Sequence, residues 1–155
     1  MFFEYMKPGE ERKVANLVWN VFEEFEAPSY KQEGIDEFKS FILPENIAAR
    51  CDTGQSFVIC CKNSDDIIGV IAVRDNSHIS LLFVKKEYHR KGIARKLFNI
   101  ILEKCYNTDQ NLQAITVNSS PYAVAIYEKM GFEKIDFVQE KNGILFIPMK
   151  YTMNL

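Results

Sequence analysis

LFVKKEYHRKGIARKLF, residues 82–98, decides how the rest of the chain is read. It opens on strand-forming residues, closes on an apolar stripe of helical spacing, and turns between the two at Gly92. Around the turn stand Lys85, Lys86, Arg90, Lys91, Arg95 and Lys96 against one acid, Glu87. The local charge is +5 in a chain whose net charge is −2. The first turn of a helix leaves backbone N–H groups without acceptors, and the helix dipole adds partial positive charge there. A glycine lets the main chain approach a bulky ligand closely. A strand feeding such a helix start therefore suits an anion, and a pyrophosphate matches the arrangement. Neither G-x-x-x-x-G-K-[ST] nor G-x-G-x-x-G is present, which excludes a P-loop and a dinucleotide fingerprint. One glycine before one basic helix also suits an ordinary solvated helix start. The residues of this stretch alone leave both readings open.

The neighbouring segments give the stretch its setting. SFVICC (56–61), IIGVIAV (67–73) and ISLLFV (79–84) are rich in β-branched residues and joined by short polar turns, the pattern of an antiparallel meander. Past Gly92, Ile93, Ala94, Leu97, Phe98, Ile101, Leu102 and Cys105 form one helical face. That helix leads to QAITV (113–117), so 79–84 and 113–117 are expected to run parallel. At the N-terminal end, FFEYM reads as a strand closed by Pro8-Gly9. Val14, Leu17, Val18, Val21, Phe22 and Phe25 mark a helix that Pro28 ends. Ile35, Phe38 and Ile42 mark a shorter helix before Pro44, and 45–50 a turn or short helix. Later, Ser120 caps a helix with Pro121 in its first position. Ala123, Ile126, Tyr127 and Met130 face inward, and Gly131 ends it. FEKIDFVQ (132–139) and ILFIPMKY (144–151) flank a hairpin turn at Lys141-Asn142-Gly143. The expectation is an α+β fold in one domain, residues 1–155. It has a mixed sheet of about six or seven strands and about four helices.

Composition narrows the function classes. A chain of 155 residues with 47% apolar content suits one folded domain. No apolar run nears the roughly 20 residues of a membrane span. MFFEYMKPGEER lacks the basic start and apolar stretch of a signal peptide, so a cytoplasmic protein is expected. Cys60 and Cys61 are adjacent in a strand and point to opposite faces. With Cys51 and Cys105, no CxxC pair and two histidines, they read as reduced thiols, and no metal is expected. Residues 23–37 carry Glu23, Glu24, Glu26, Glu33, Asp36 and Glu37 against Lys31. Such runs usually mark a solvated face. The net acidity argues against a nucleic-acid partner.

LFVKKEYHRKGIARKLF resembles motif A of the GNAT (Gcn5-related) superfamily of N-acetyltransferases, in which a strand feeds an [RQ]-x-x-G-x-[GA] loop. Here the loop is His89-Arg90-Lys91-Gly92-Ile93-Ala94. NSSPYAVAIYEKMGFEK (118–134) resembles the family's second half-site, with its tyrosine helix and closing Gly-Phe. Order and spacing agree, and with the strand plan the resemblance extends over about residues 1–151. It implies acetyl-coenzyme A as acyl donor. Its pyrophosphate would sit on amides from His89 to Arg95. Its pantetheine arm would pair with Leu82, Phe83 and Val84, as an added strand does, in a gap where 79–84 and 113–117 splay. An N–H near Leu82 or Phe83 would polarise the thioester carbonyl. Asn118, Ser120 and Ala123 fall in the second half-site. Ser120 stands where many members carry asparagine, and Asn118 is the nearby substitute. His89 replaces the usual Arg or Gln, which implies altered contacts rather than lost binding. Ala94 is within the motif's tolerance.

By the same resemblance Tyr127 is the acid that protonates the departing sulfur. A phenol near pKa 10 is roughly matched to a thiolate leaving group. Periodicity alone makes Tyr127 a core-facing residue. The candidate bases are His78, at the start of a strand, and Glu24 with Glu23 and Glu26, near the end of the first helix. A turn histidine and a solvated helix end describe them equally, and a water chain to solvent is a further route. The expected reaction is direct acetyl transfer to a primary amine of a small molecule or peptide, with the acidic run favouring a cationic acceptor. The alternative is the same fold holding acetyl-coenzyme A as a sensor without turnover. A monomer or homodimer is expected, with 144–151 as an exposed edge for a second copy.

Overall fold

The computed structural model describes residues 1–153. Strand β1 (Phe2–Tyr5) leads to helices α1 (Glu11–Phe25), α2 (Gln32–Phe41) and α3 (Pro44–Asp52). The meander follows as β2 (Ser56–Asn63), β3 (Asp66–Arg74) and β4 (His78–Val84). Helix α4 (Ile93–Thr108) crosses over to β5 (Ala114–Ser119), and α5 (Val124–Lys129) precedes β6 (Glu133–Lys134), β7 (Gln139–Lys141) and β8 (Ile144–Thr152). The sheet runs β1-β2-β3-β4-β5-β8-β6, with β7 also on β8. The mixed sheet, the meander and the parallel β4–β5 pair are as expected.

The sheet is buried on both faces, which explains the nearly continuous apolar runs of β2 to β4. On one face α1 lays Val14, Val18 and Phe22 against Val58, Val70 and Leu81. On the other, α4 lays Leu97, Phe98 and Ile101 against Ile59, Ile71 and Ile115. Cys60 belongs to the first core and Cys61 to the second, as strand alternation requires. The cysteines are free thiols, and burial pushes Cys60 up to about 12 and Cys105 up to about 11. Lys62 is buried but answered by two carboxylates, Glu4 and Glu10, each at 2.7 Å, which ties β2 to β1 and to the start of α1.

Four details differ from the sequence reading. Residues 45–50 lie inside a full helix, so the described residues hold five α-helices. Residues 132–139 form two short strands and not one: β6 pairs with Met149 and Lys150, β7 with residues 144–146, and Ile135–Val138 bulge between them. Helix α5 starts at Val124, because Ser120 caps a preceding turn instead. Its hydroxyl and carbonyl both accept from Ala123 N–H, at 3.2 and 3.1 Å. The shortened helix leaves Ile126 39% exposed, whereas Tyr127 and Met130 are buried. Strand 144–151 is no free edge, since β5 flanks it on one side and β6 and β7 on the other. No helix among the described residues is long and apolar enough to cross a membrane.

One backbone contact positions α2. Gly34 lies against the β7–β8 turn so closely that a Cβ there would stand 2.3 Å from the Gly143 carbonyl oxygen. Lys31 N–H donates to the same carbonyl at 3.3 Å, and Lys31 pairs with Glu140. In a free helix Gly→Ala stabilises by up to ~1 kcal/mol. Here Gly34→Ala is expected to destabilise by about 1–3 kcal/mol through overpacking, measured by urea unfolding.

Candidate active site

Strands β4 and β5 are paired at only two positions, His78 with Thr116 and Ile79 with Val117. At the next residue β4 carries a bulge. Ala72 pairs with Leu81 and Val73 with Ile79, so Ser80 is the extra residue. Bulges bend the strand that bears them. Beyond Ile79 the strands part, and β4 keeps β3 on one side only, through Leu82, Phe83 and Val84. A cavity of about 280 Å³ occupies the opening. Leu82 and Phe83 line it from β4, Asn118 from β5, and Ser120, Ala123 and Tyr127 from the segment that follows.

The 89–95 loop stands at the far end of β4. Gly92 takes the left-handed conformation, φ 79°, immediately before α4, and Arg90 is also left-handed at φ 62°. Lys96 N–H makes the first bond of the helix, to the Gly92 carbonyl at 3.1 Å. The N–H groups of Ile93, Ala94 and Arg95 therefore have no intrahelical acceptor. His89 Nε2 donates to the Val84 carbonyl at 2.6 Å, which folds the loop back onto the end of β4. The Arg95 guanidinium donates to the Lys129 carbonyl and joins the helix start to α5. The Phe25 ring packs between His89 and Tyr122, at 5.3 and 5.2 Å between centroids. Arg90 and Lys91 are exposed.

The structure separates the five proton-transfer candidates. Tyr127 is 5% exposed, and burial with the nearby Glu26 charge pushes its phenol well above its ordinary range. His78 lies at the closed end of the splay, its Nδ1 bonded to the Thr116 hydroxyl at 2.8 Å. Burial lowers its pKa to about 4, so it is neutral at pH 7. Glu24 faces a different cavity and pairs with Lys86 at 2.9 Å. Glu23 is exposed. Glu26 alone of the three glutamates lines the Tyr127 cavity. It is the residue at which α1 stops, and Pro28 in the following turn redirects the chain. Burial raises its carboxyl to about 7, against an opposing effect from Ser120. Pro28 was the available signal: a carboxylate at a proline-stopped helix end does not share the solvated face of the turns before it.

A family profile of the acetyltransferase (GNAT) domain matches residues 26–153. The chain belongs to the GNAT acetyltransferase family. Solved GNAT structures share its whole fold. A GCN5-related N-acetyltransferase from Rhodopseudomonas palustris superposes with TM-score 0.81 at 18% identity, over 98% of this chain and 95% of that one. The PaiA N-acetyltransferase of Thermoplasma acidophilum, solved with coenzyme A, gives 0.75 at 17% identity, over 99% and 100%. An aminoglycoside 6′-N-acetyltransferase, also with coenzyme A, gives 0.64 at 12%, over 98% and 97%. Among curated sequences, UPF0157 protein YqkA of Bacillus subtilis (strain 168) is 31% identical over 88 residues, 54% of this chain. The match spans 25% of that longer protein.

The raised Glu26 pKa carries a stability consequence. Below about 4.5 the carboxyl is protonated folded and unfolded; as pH rises through about 7 the folded state must ionise a buried group. A group whose folded pKa is raised loses its stabilising contribution over that window. Glu26→Gln is therefore expected to exceed wild type in stability at pH 8 by on the order of 2 kcal/mol. The two should converge near pH 4, as followed by thermal melts across pH.

Proposed function

We propose that this GNAT domain transfers an acetyl group from acetyl-coenzyme A directly to a primary amine, as a single domain over residues 1–155. One observation carries the reading: the unpaired edge of β4 leads from the cavity lined by the buried Tyr127 to the start of α4, whose first N–H groups have no intrahelical acceptor. The pyrophosphate binds amides of the 89–95 loop, with Arg90 and Lys91 at its rim. The pantetheine arm runs along the unpaired edge at Leu82, Phe83 and Val84 as an added strand. An N–H of that edge faces the thioester oxygen and stabilises the charge that develops there. Asn118, Ser120 and Ala123 form the opposite bank.

Tyr127 supplies the proton to the leaving thiolate. Its burial keeps the phenol neutral at working pH, which a proton donor requires. His89, in place of the common Arg or Gln, serves the loop by holding the Val84 carbonyl. His78 and Glu24 take no direct part, since one bonds Thr116 and the other Lys86. Two structural neighbours were solved with coenzyme A, which supports the donor assignment through the shared fold.

The test is thiol release from acetyl-coenzyme A across amine acceptors. Tyr127→Phe is expected to lower kcat by about tenfold or more while calorimetric affinity for acetyl-coenzyme A stays within about twofold. Wild-type turnover in the variant removes the acid assignment. Wild-type protein that fails to bind coenzyme A removes the reading as a whole.

A further inference from the structure

Two rings of α2, Phe38 and Phe41, line the Tyr127 cavity, and they are held in different ways. Phe38 is fixed by rings of the core: it stacks on Phe22 at 4.1 Å between centroids and lies 6.0 Å from Phe83. Phe41 ends α2, is half-buried, and has Phe38 at 6.4 Å as its aromatic neighbour. Arg50 of α3, which does not itself line the cavity, covers a face of the Phe41 ring. Its guanidinium carbon lies 3.9 Å from the ring centre, and its Nη2 donates to the Phe41 carbonyl at 2.8 Å. One side chain thus holds both the ring and the main chain of a single wall residue.

We propose that Arg50 is a positioning residue that sets the size of acceptor the cavity admits, by clamping Phe41 as a fixed wall. This rests on the acetyl-coenzyme A reading above. The last carbonyls of a helix have no intrahelical donor, and a cation there both bonds them and suits the helix dipole. A guanidinium can stack on an aromatic face at the same time, which an ammonium does less well. The clamp has a firm base. Helix α3 is seated in the core by Ile47, 2% exposed, and Cys51 packs on the same cluster. Arg50 lies between them in sequence, so the end of α2 is referred to a rigid neighbour.

A purely structural role accounts poorly for this residue. Arg50 is half-buried and joins no ion pair among the described residues, and burial works against its charge. An apolar side chain of similar length would fill the place without that penalty. It would not grip a carbonyl and a ring together. Ending α2 does not fall to Arg50 alone, since Asn46 Nδ2 already donates to the neighbouring Ser40 carbonyl at 2.7 Å. The cavity measures about 280 Å³, so one phenyl ring turning in or out is a large share of its room. A fixed ring gives a small acceptor ready-made contacts and denies space to a bulky one.

The experiment compares wild type, Arg50→Met, Arg50→Lys, Phe41→Leu and the Phe41→Leu/Arg50→Met double variant by thiol release, with butylamine as the small acceptor and 1-naphthylmethylamine as the bulky one. Arg50→Met is expected to raise KM for butylamine about tenfold with kcat within about threefold, and to lower the preference for butylamine over the bulky amine by at least about tenfold. Arg50→Lys, which keeps the charge, should fall between wild type and Arg50→Met. In the Phe41→Leu background Arg50→Met should change the preference by less than about twofold, because the two residues act as one unit. Calorimetric affinity for coenzyme A should match wild type throughout. A crystal structure of Arg50→Met, or of Arg50→Lys should the first not fold, is expected to show the Phe41 ring displaced and the cavity wider. An unmoved ring, an unaltered preference, or an equal loss for both amines overturns the proposal and leaves the acetyltransferase reading standing. Wild-type protein that fails to bind coenzyme A, or that releases no thiol with any amine, overturns both.

Discussion

The arrangement depends on the early end of pairing between β4 and β5. Two neighbouring strands in a closed core would be expected to zip along their length, because unpaired main-chain groups are costly once withdrawn from water. Here they stop after two residue pairs. The bulge at Ser80 turns β4 aside, and the side chains beyond it are committed to two different cores: Leu81 and Phe83 to the one under α1, Val84 to the one under α4. Closing the gap would pull those anchors out. The opening is therefore kept by packing on both faces, and beyond Ile79 it leaves β4 without a strand partner on the β5 side.

The cavity holds its ionisable groups at a structural cost. Glu26 and Tyr127 are placed where ionisation is penalised: burial raises both, and the Glu26 charge raises Tyr127 further. A core without them would be steadier. Local departures from optimal stability gather at functional positions. The contrast with Lys62 is instructive. That lysine is buried, but Glu4 and Glu10 neutralise it at 2.7 Å. Among the described residues no Lys, Arg or His lines the cavity beside Glu26, and burial raises its carboxyl instead.

Much of this was legible in the chain itself. The meander, the crossover and the glycine before α4 follow from periodicities of two and 3.6 and from one punctuating residue. Gly92 does take a left-handed conformation, and the turn at Asn142-Gly143 does join β7 to β8. What stayed hidden were choices made by tertiary contact. Ser120 has the chemistry of a helix cap, yet it caps a turn, because the backbone continues through Ala123 before helical bonding starts. The string 132–139 alternates well enough for one strand, but β8 accepts it only in two pieces. Glu23, Glu24 and Glu26 are chemically identical, and only the position of each against α1 and Pro28 separates an exposed residue, a partner of Lys86 and a cavity wall.

The meeting of Gly34 with Gly143 bears on how such a protein diversifies. The β4–β5 side of the Tyr127 cavity is drawn largely from one unbroken stretch, β4 to α5. The opposite half brings together the α1–α2 region and the β7–β8 hairpin, segments some hundred residues apart that meet through main chain. A junction made of backbone imposes no side-chain complementarity on what flanks it. The residues on either side are free to drift, so long as both glycines remain, while the stretch from β4 to α5 is left alone. Variation can then accumulate along one wall of the cavity without disturbing the other.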